Sequence, residues 1–228
     1  LLSKIDYVLC KTLFTQKVFD ELSMKTYYTG FTSEDRIDAK INKTETFFHL
    51  AGSSMQKGTD VLVNLWLKHP EWPKLTIIQN PEKYKREIPV IADNIDYILE
   101  YLDDNTLKKL QNENLFHLCP SEAEGFGHYI AEAMSCGAVT LTTNAPPMNE
   151  LVDDSRGVLV KYKSKKTQRL GINYYVDEQD LEKQINKILQ MKKEEKEHIQ
   201  EKSRQWFLSN DQDFKIQFKE FITMITKS

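Results

Sequence analysis

The chain has 228 residues, with 31 Lys and Arg against 34 Asp and Glu and a formal net charge of -3. That length supports one substantial core without disulfide or metal staples. Its near-balanced charge argues against a surface built throughout for nucleic acid or anionic membrane, so any anion site is local.

Three cysteines, Cys10, Cys119 and Cys136, are odd in number and lack CxxC spacing. They point to neither a disulfide framework nor a zinc cluster, and a reduced, cytoplasmic setting is expected. No apolar run reaches the roughly 18 to 20 residues of a membrane span. The opening Leu1-Leu2-Ser3-Lys4 lacks a signal-peptide layout, and a start at Leu rather than Met reads as a fragment of a longer protein.

In chain order, Tyr7-Leu9 reads as a strand, Thr12-Leu22 as an amphipathic helix and Thr26-Tyr28 as a second strand before Gly30. Residues 31–43 are polar and read as a linker. Further strands are predicted at Thr46-Leu50, Leu75-Ile78, Tyr97-Leu99, Leu115-Cys119, Val139-Thr142 and Gly157-Val160. Helical patterns separate most of them: Val61, Leu62, Leu65 and Trp66 share one face, Leu107 and Leu110 another, and Ile130, Ala133 and Met134 a third. Alternating strand and helix predicts an α/β fold, a Rossmann-like parallel sheet with helices on both faces. From about Asp180 the pattern is helical only, giving a helical C-terminus.

Asp103-Asp104 reads as the start of the Leu107 helix, and Asp211-Gln212-Asp213 as a helix cap rather than a metal-binding Asp-x-Asp. The charged run Lys192–Lys202 reads as a solvated helix face. Lys161, Lys163, Lys165, Lys166 and Arg169 read as an exposed basic loop, with contact to an acceptor or lipid phosphate the weaker alternative.

Open parallel sheets bind ligands beyond the carboxyl ends of their strands, so the turns there carry the chemistry. The first, Ala51-Gly52-Ser53-Ser54-Met55-Gln56-Lys57-Gly58-Thr59, offers small residues, helix-start amides and one lysine, a combination suited to phosphate. It is no P-loop, because lysine precedes the final glycine. The second, Pro120-Ser121-Glu122-Ala123-Glu124-Gly125-Phe126-Gly127, leads into a helix carrying Glu132. Its two glycines allow close backbone approach, and its carboxylates suit the vicinal hydroxyls of a sugar or ribose. Each turn alone is matched about equally by an ordinary structural turn.

Together, however, Glu-Gly-Phe-Gly at 124–127, then Glu-Ala-Met-Ser-Cys-Gly at 132–137 and a strand at Val139, resemble the signature of glycosyltransferase family 4, whose two glutamates are separated by seven residues. Lys57-Gly58, Pro120-Ser121 and Asn149-Glu150-Leu151 follow in the same order, over roughly residues 41 to 190. The resemblance implies a retaining GT-B enzyme, of which this chain supplies the C-terminal, donor-binding half. Residues 1–33 would be the last strand-helix-strand of the N-terminal domain with its hinge, and 34–228 the nucleotide-sugar-binding domain. The acceptor-binding remainder is absent, and the last helices would cross back toward it.

By the same resemblance, Glu132 would accept ribose hydroxyls, Glu124 would contact the transferred sugar, and amides at Gly125, Phe126 and Gly127 would approach sugar and diphosphate. Lys57 would neutralise the diphosphate, beside Gly52 and Ser53. The donor would be a UDP- or GDP-sugar, with no cofactor, no metal and no nucleic acid. The acceptor, whether glycan, protein or lipid, is left open. The family's usual Arg or Lys is replaced by Ser53, which keeps open a non-catalytic binding or structural role. His128 reads as a helix-surface residue and His117 as a core residue.

Overall fold

A computed structural model describes residues 4–84 and 90–227. Residues 1–3 of the expected first unit lie outside the described residues.

The N-terminal segment forms a parallel pair, β1 (Val8–Cys10) and β2 (Thr26–Tyr28), joined by α1 (Leu13–Glu21). After it, residues 29–43 run without helix or strand. This stretch is more than a linker. Arg36 within it is 3% exposed, donates Nε to Gln111 Oε1 at 2.9 Å and pairs with Asp104 at 2.6 Å.

The main sheet contains β3 (Thr44–Gly52), β4 (Leu75–Gln79), β5 (Ile95–Ile98), β6 (Asn114–Cys119), β7 (Val139–Thr143) and β8 (Val158–Val160). All its pairings are parallel and the spatial order is β5-β4-β3-β6-β7-β8. The chain builds outward from β3 to β5, then crosses back to β6 and builds the other way. The direction of winding therefore reverses between β3 and β6, and a ligand crevice opens at such a reversal.

Helices cover both faces. Leu62, Val63, Leu65 and Trp66 of α2 (Thr59–Lys68) and Leu181, Ile185 and Ile188 of α6 (Glu178–Gln190) bury one face with Phe47, Phe116 and Leu141. On the other, α4 (His128–Ser135), α5 (Met148–Leu151) and α7 (Lys193–Thr226) bring Ile130, Met134, Met148 and Phe207 together. Burial on both faces explains why β4, β6 and β7 are hidden along their whole lengths. The short helix α3 (Asp104–Glu113) is capped by Asp103, whose carboxylate accepts from the Asn105 and Thr106 amides.

The structure corrects three expectations. Asp211 and Asp213 lie inside α7, not at a cap; Asp211 accepts from Thr32 at 3.1 Å and holds Lys215. The Lys192–Lys202 run is not solvated throughout, because Lys196 is 5% exposed and pairs with Glu45 at 2.7 Å. The basic segment after β8 is a hairpin, β9 (Tyr162–Gln168) antiparallel to β10 (Gly171–Val176), rather than a loop. Lysine-rich alternation hid the strand, since β9 carries no apolar face of its own. The last turns of α7 reach back to the N-terminal pair, with the Phe221 ring against Tyr7 and Tyr27. Among the described residues no helix is long and apolar enough to cross a membrane.

Candidate functional site

The loops after β3 and β6 meet at the reversal point. His49 of β3 ties them together: its Nδ1 lies 2.7 Å from the Leu118 carbonyl and its Nε2 2.9 Å from the Thr59 hydroxyl. Because a carbonyl only accepts, Nδ1 carries the proton and Nε2 accepts from Thr59. Burial lowers the His49 pKa to about 4, so the ring is neutral at pH 7.

Lys57 lies on the first loop and Glu124 on the second. The ammonium sits 2.6 Å from Glu124 Oε1 and 3.4 Å from the centre of the Tyr129 ring. Glu124 also accepts from Ser121 Oγ at 2.6 Å, and Ser121 in turn meets the Tyr129 hydroxyl. Both charged side chains are mostly buried, 15% and 12% exposed. The arrangement is a charge pair held in place by a phenol ring and a hydroxyl.

Two helices start beside this pair, each behind a left-handed glycine. Gly58 (φ 69°) precedes α2 and Gly127 (φ 108°) precedes α4, and neither helix has a side-chain cap. A Cβ on Gly58 would stand 2.5 Å from the Pro120 carbonyl oxygen, so glycine is what lets the two loops touch. By contrast α1, α3 and α6 are capped by Thr12, Asp103 and Asp177. The first amides of α2 and α4 are therefore open to an anion.

Gly125 is exposed with open space around it, whereas the ring of Phe126 turns inward against Phe31 and His128. Position 126 thus offers backbone, not side chain, to a ligand. His128 is exposed at the start of α4, its Nδ1 2.9 Å from Ser33 Oγ. His117 is a buried core residue within 2.9 Å of the Gln111 carbonyl, its pKa lowered to about 4 by burial.

Glu132 lies on α4, about one helical turn past its first residue, His128. Its Oε2 accepts from Gln111 Nε2 at 2.9 Å, while Gln111 Oε1 accepts from Arg36. Burial raises its pKa, with Gln111 and Arg36 working in the opposite direction. Nothing in the sequence marked Arg36 or Gln111 as partners, since they lie 75 positions apart. Gly52 and Ser53 border a cavity of about 390 Å³ lined also by Leu50, Ile78, Asn80 and Tyr101. Ser53 Oγ accepts from Asn80 Nδ2 at 3.0 Å.

Glu150 lines a separate cavity of about 400 Å³ together with Phe126 and Gly30. Its two carboxylate oxygens accept from the Leu13 and Phe14 amides, each at 2.8 Å, and so cap α1. Among the described residues no group of three His, Cys, Asp or Glu could hold a metal ion.

The sheet order and the paired helix starts define a Rossmann-like α/β domain with a ligand crevice at the reversal of winding, and its neighbours among solved structures are glycosyltransferases. Solved structures agree in fold. A glycosyltransferase from Rickettsia africae matches with a TM-score of 0.77 and 15% identity, over 98% of this chain and 64% of its own. Sucrose-phosphate synthase from Thermosynechococcus elongatus matches at 0.74 and 14% identity, over 100% of this chain and 60% of its own. A chain of the GtfA/B complex matches at 0.74 and 15% identity, over 99% of this chain and 46% of its own. This chain therefore spans less than two thirds of the length of each. The family described as glycosyl transferases group 1 matches residues 56–206, and the chain belongs to it. No curated protein matches.

Proposed function

We propose that this chain is the donor-binding half of a retaining hexosyltransferase that uses a UDP- or GDP-sugar without a metal or cofactor. In this reading residues 1–33 belong to an acceptor-binding N-terminal domain, residues 34–228 hold the donor, and the setting is the reduced cytoplasm. The observation that carries it is the Lys57–Glu124 pair lying between the uncapped starts of α2 and α4.

Departure of a diphosphate builds negative charge on its terminal phosphate while the anomeric carbon becomes oxocarbenium-like. Lys57 and the helix amides meet that charge. As phosphate draws the ammonium away from Glu124, the carboxylate is released to accept the sugar's hydroxyls. Gly125 and Gly127 let the sugar approach the backbone, and Glu132, steadied by Gln111, takes the ribose hydroxyls. The cavity beside Gly52 and Ser53 is of a size and polarity to take the base.

A thermal-shift panel of UDP, GDP and ADP with their sugars tests the reading. A rise in Tm with at least one of them is expected. No stabilisation by any would sink it.

A second reading, donor binding without transfer, draws on Ser53 in place of a cation and on the occupation of Lys57 by Glu124. Assay of hexose transfer by the full two-domain protein separates the two. Donor binding with no turnover would establish the second.

A further inference from the structure

The β9–β10 hairpin borders the crevice loops but has no part in the donor reading. Lys161, Lys163, Lys165, Lys166 and Arg169 place five cations in nine positions with no acid among them. Residues 161–170 are all exposed, and among the described residues none of these five side chains forms an ion pair. The more buried basic side chains Arg36, Lys57 and Lys196 are each paired with a carboxylate.

The hairpin is fastened along β10 and beside its tip, and the outer edge of β9 is free. Tyr174 and Val176 of β10 are buried, the Tyr174 amide donates to the Glu122 carbonyl at 2.7 Å, and Gln56 Nε2 donates to Gln168 Oε1 at 2.8 Å. Among the described residues β9 pairs with β10 alone, so its other edge is open. Lys165 lies opposite Tyr174 and Lys166 opposite Asn173. Successive residues of a strand face opposite ways, so lysines flank the open edge from both sides. At the tip Leu170 is 55% exposed, and Tyr162 at the far end is 39% exposed.

We propose that this hairpin docks edge-on against an anionic lipid bilayer, with its lysines over the headgroups and Leu170 at the acyl boundary. Charge complementarity requires a negative partner. Five cations spread along a strand whose residues are all exposed fit an extended partner better than a small anion. A soluble polyanion would answer the lysines but leave Leu170 and Tyr162 in water, whereas a bilayer offers both a negative surface and an apolar layer. Guarding an open edge against pairing is a general use of lysine, but it does not account for the exposed Leu170 at the tip. Because the hairpin is fastened to Gln56 and Glu122, next to Lys57 and close to Glu124, docking would bring the crevice to the membrane surface.

The test is sedimentation of the full chain with vesicles of phosphatidylcholine containing about 30% phosphatidylserine, against phosphatidylcholine alone. Binding to the anionic vesicles only is expected, with release at roughly 0.5 M salt. Joint replacement Lys165→Glu and Lys166→Glu should lower partitioning at least about tenfold, at several-fold per cation. Leu170→Ser should lower it a few-fold. These positions are exposed, and an unchanged Tm shows that the variants remain folded.

Absence of vesicle binding, equal binding to neutral vesicles or equal binding by the double variant would each overturn the proposal. So would retention on a heparin column without vesicle binding, which would assign the hairpin to a soluble polyanion. Nucleotide thermal shifts on the same preparations report the crevice separately, so either reading can fail alone.

Discussion

Lys57 and Glu124 are 67 positions apart in the chain, yet Nζ and Oε1 are 2.6 Å apart in the structure. The pair joins the two loops at the reversal point and is largely shielded from water. Removing one member leaves the other charge buried without its partner, and this costs far more than losing a surface ion pair.

Lys57→Met should therefore act twice. It should destabilise the fold by about 3 kcal/mol through the stranded Glu124 carboxylate, and it should weaken nucleotide diphosphates far more than nucleosides. Adding Glu124→Gln should restore most of the stability without restoring diphosphate affinity. Urea unfolding and calorimetric titration with UDP, GDP and the nucleosides read the two effects. An equal loss of nucleoside affinity would place Lys57 away from the diphosphate.

Glu132 gives a pH-dependent expectation. Its folded pKa is raised above 4.5 by burial, so the native state holds its proton more tightly than the unfolded chain. Its favourable contribution is present below pH 4.5 and is lost as pH rises through the folded pKa. Glu132→Gln should thus raise Tm relative to the parent at pH 7 and not at pH 4. The same variant should weaken UDP or GDP roughly tenfold if the charged carboxylate takes the ribose hydroxyls. Unchanged affinity would remove the ribose assignment and leave the stability result standing.

His49 and His117 have the opposite sign. Burial lowers both from 6.5 to about 4, so the unfolded chain binds their protons first. Stability present above pH 6.5 should fall as pH drops toward 4, by roughly 3 kcal/mol for each ring at most. Urea melts between pH 7 and 4 on the parent and on His117→Gln measure it. If removal of His117 leaves the slope unchanged, His117 is not its source.

Gly58 tests how closely the two loops approach. With φ at 69° and the Pro120 oxygen 2.5 Å from a built Cβ, Gly58→Ala should cost roughly 2 to 4 kcal/mol. It should also loosen the neighbouring Lys57. A loss under about 1 kcal/mol in urea unfolding would mean that the loops separate easily.

The sheet and crevice were legible because their signals are local. β3, β4, β6 and β7 are short apolar runs, and the Glu-Gly-Phe-Gly turn is contiguous. The partnerships were not legible. Arg36 lies in a polar stretch without periodicity, and its hydrogen-bonded link to Glu132 runs through Gln111 on α3. β9 was missed because all seven of its residues are exposed and its pairing energy comes from the β10 backbone. Asp211 was misplaced because an acidic pair looks the same at a cap and in mid-helix. What distinguishes them is Thr32, 179 positions away.

Glu150 gives the last expectation, and it concerns the joint between the N-terminal segment and the main sheet. α1 has no acidic residue in its first turn, and its Thr12 cap reaches only the Thr15 amide. The carboxylate that serves Leu13 and Phe14 comes instead from α5, over 130 positions away. A charge at a helix N-terminus is favourable, and two hydrogen bonds to it strengthen the hold. Glu150→Ala should therefore raise amide exchange along α1 about tenfold or more, equivalent to roughly 1.4 kcal/mol of lost local stability. Exchange in β4 and β6 should not change. Glu150→Gln should fall between the two, since it keeps an acceptor and loses the charge. If α1 exchanges as slowly in Glu150→Ala as in the parent, the joint is held by the Phe221 ring against Tyr7 and Tyr27. Phe221→Ala should then be the variant that releases it.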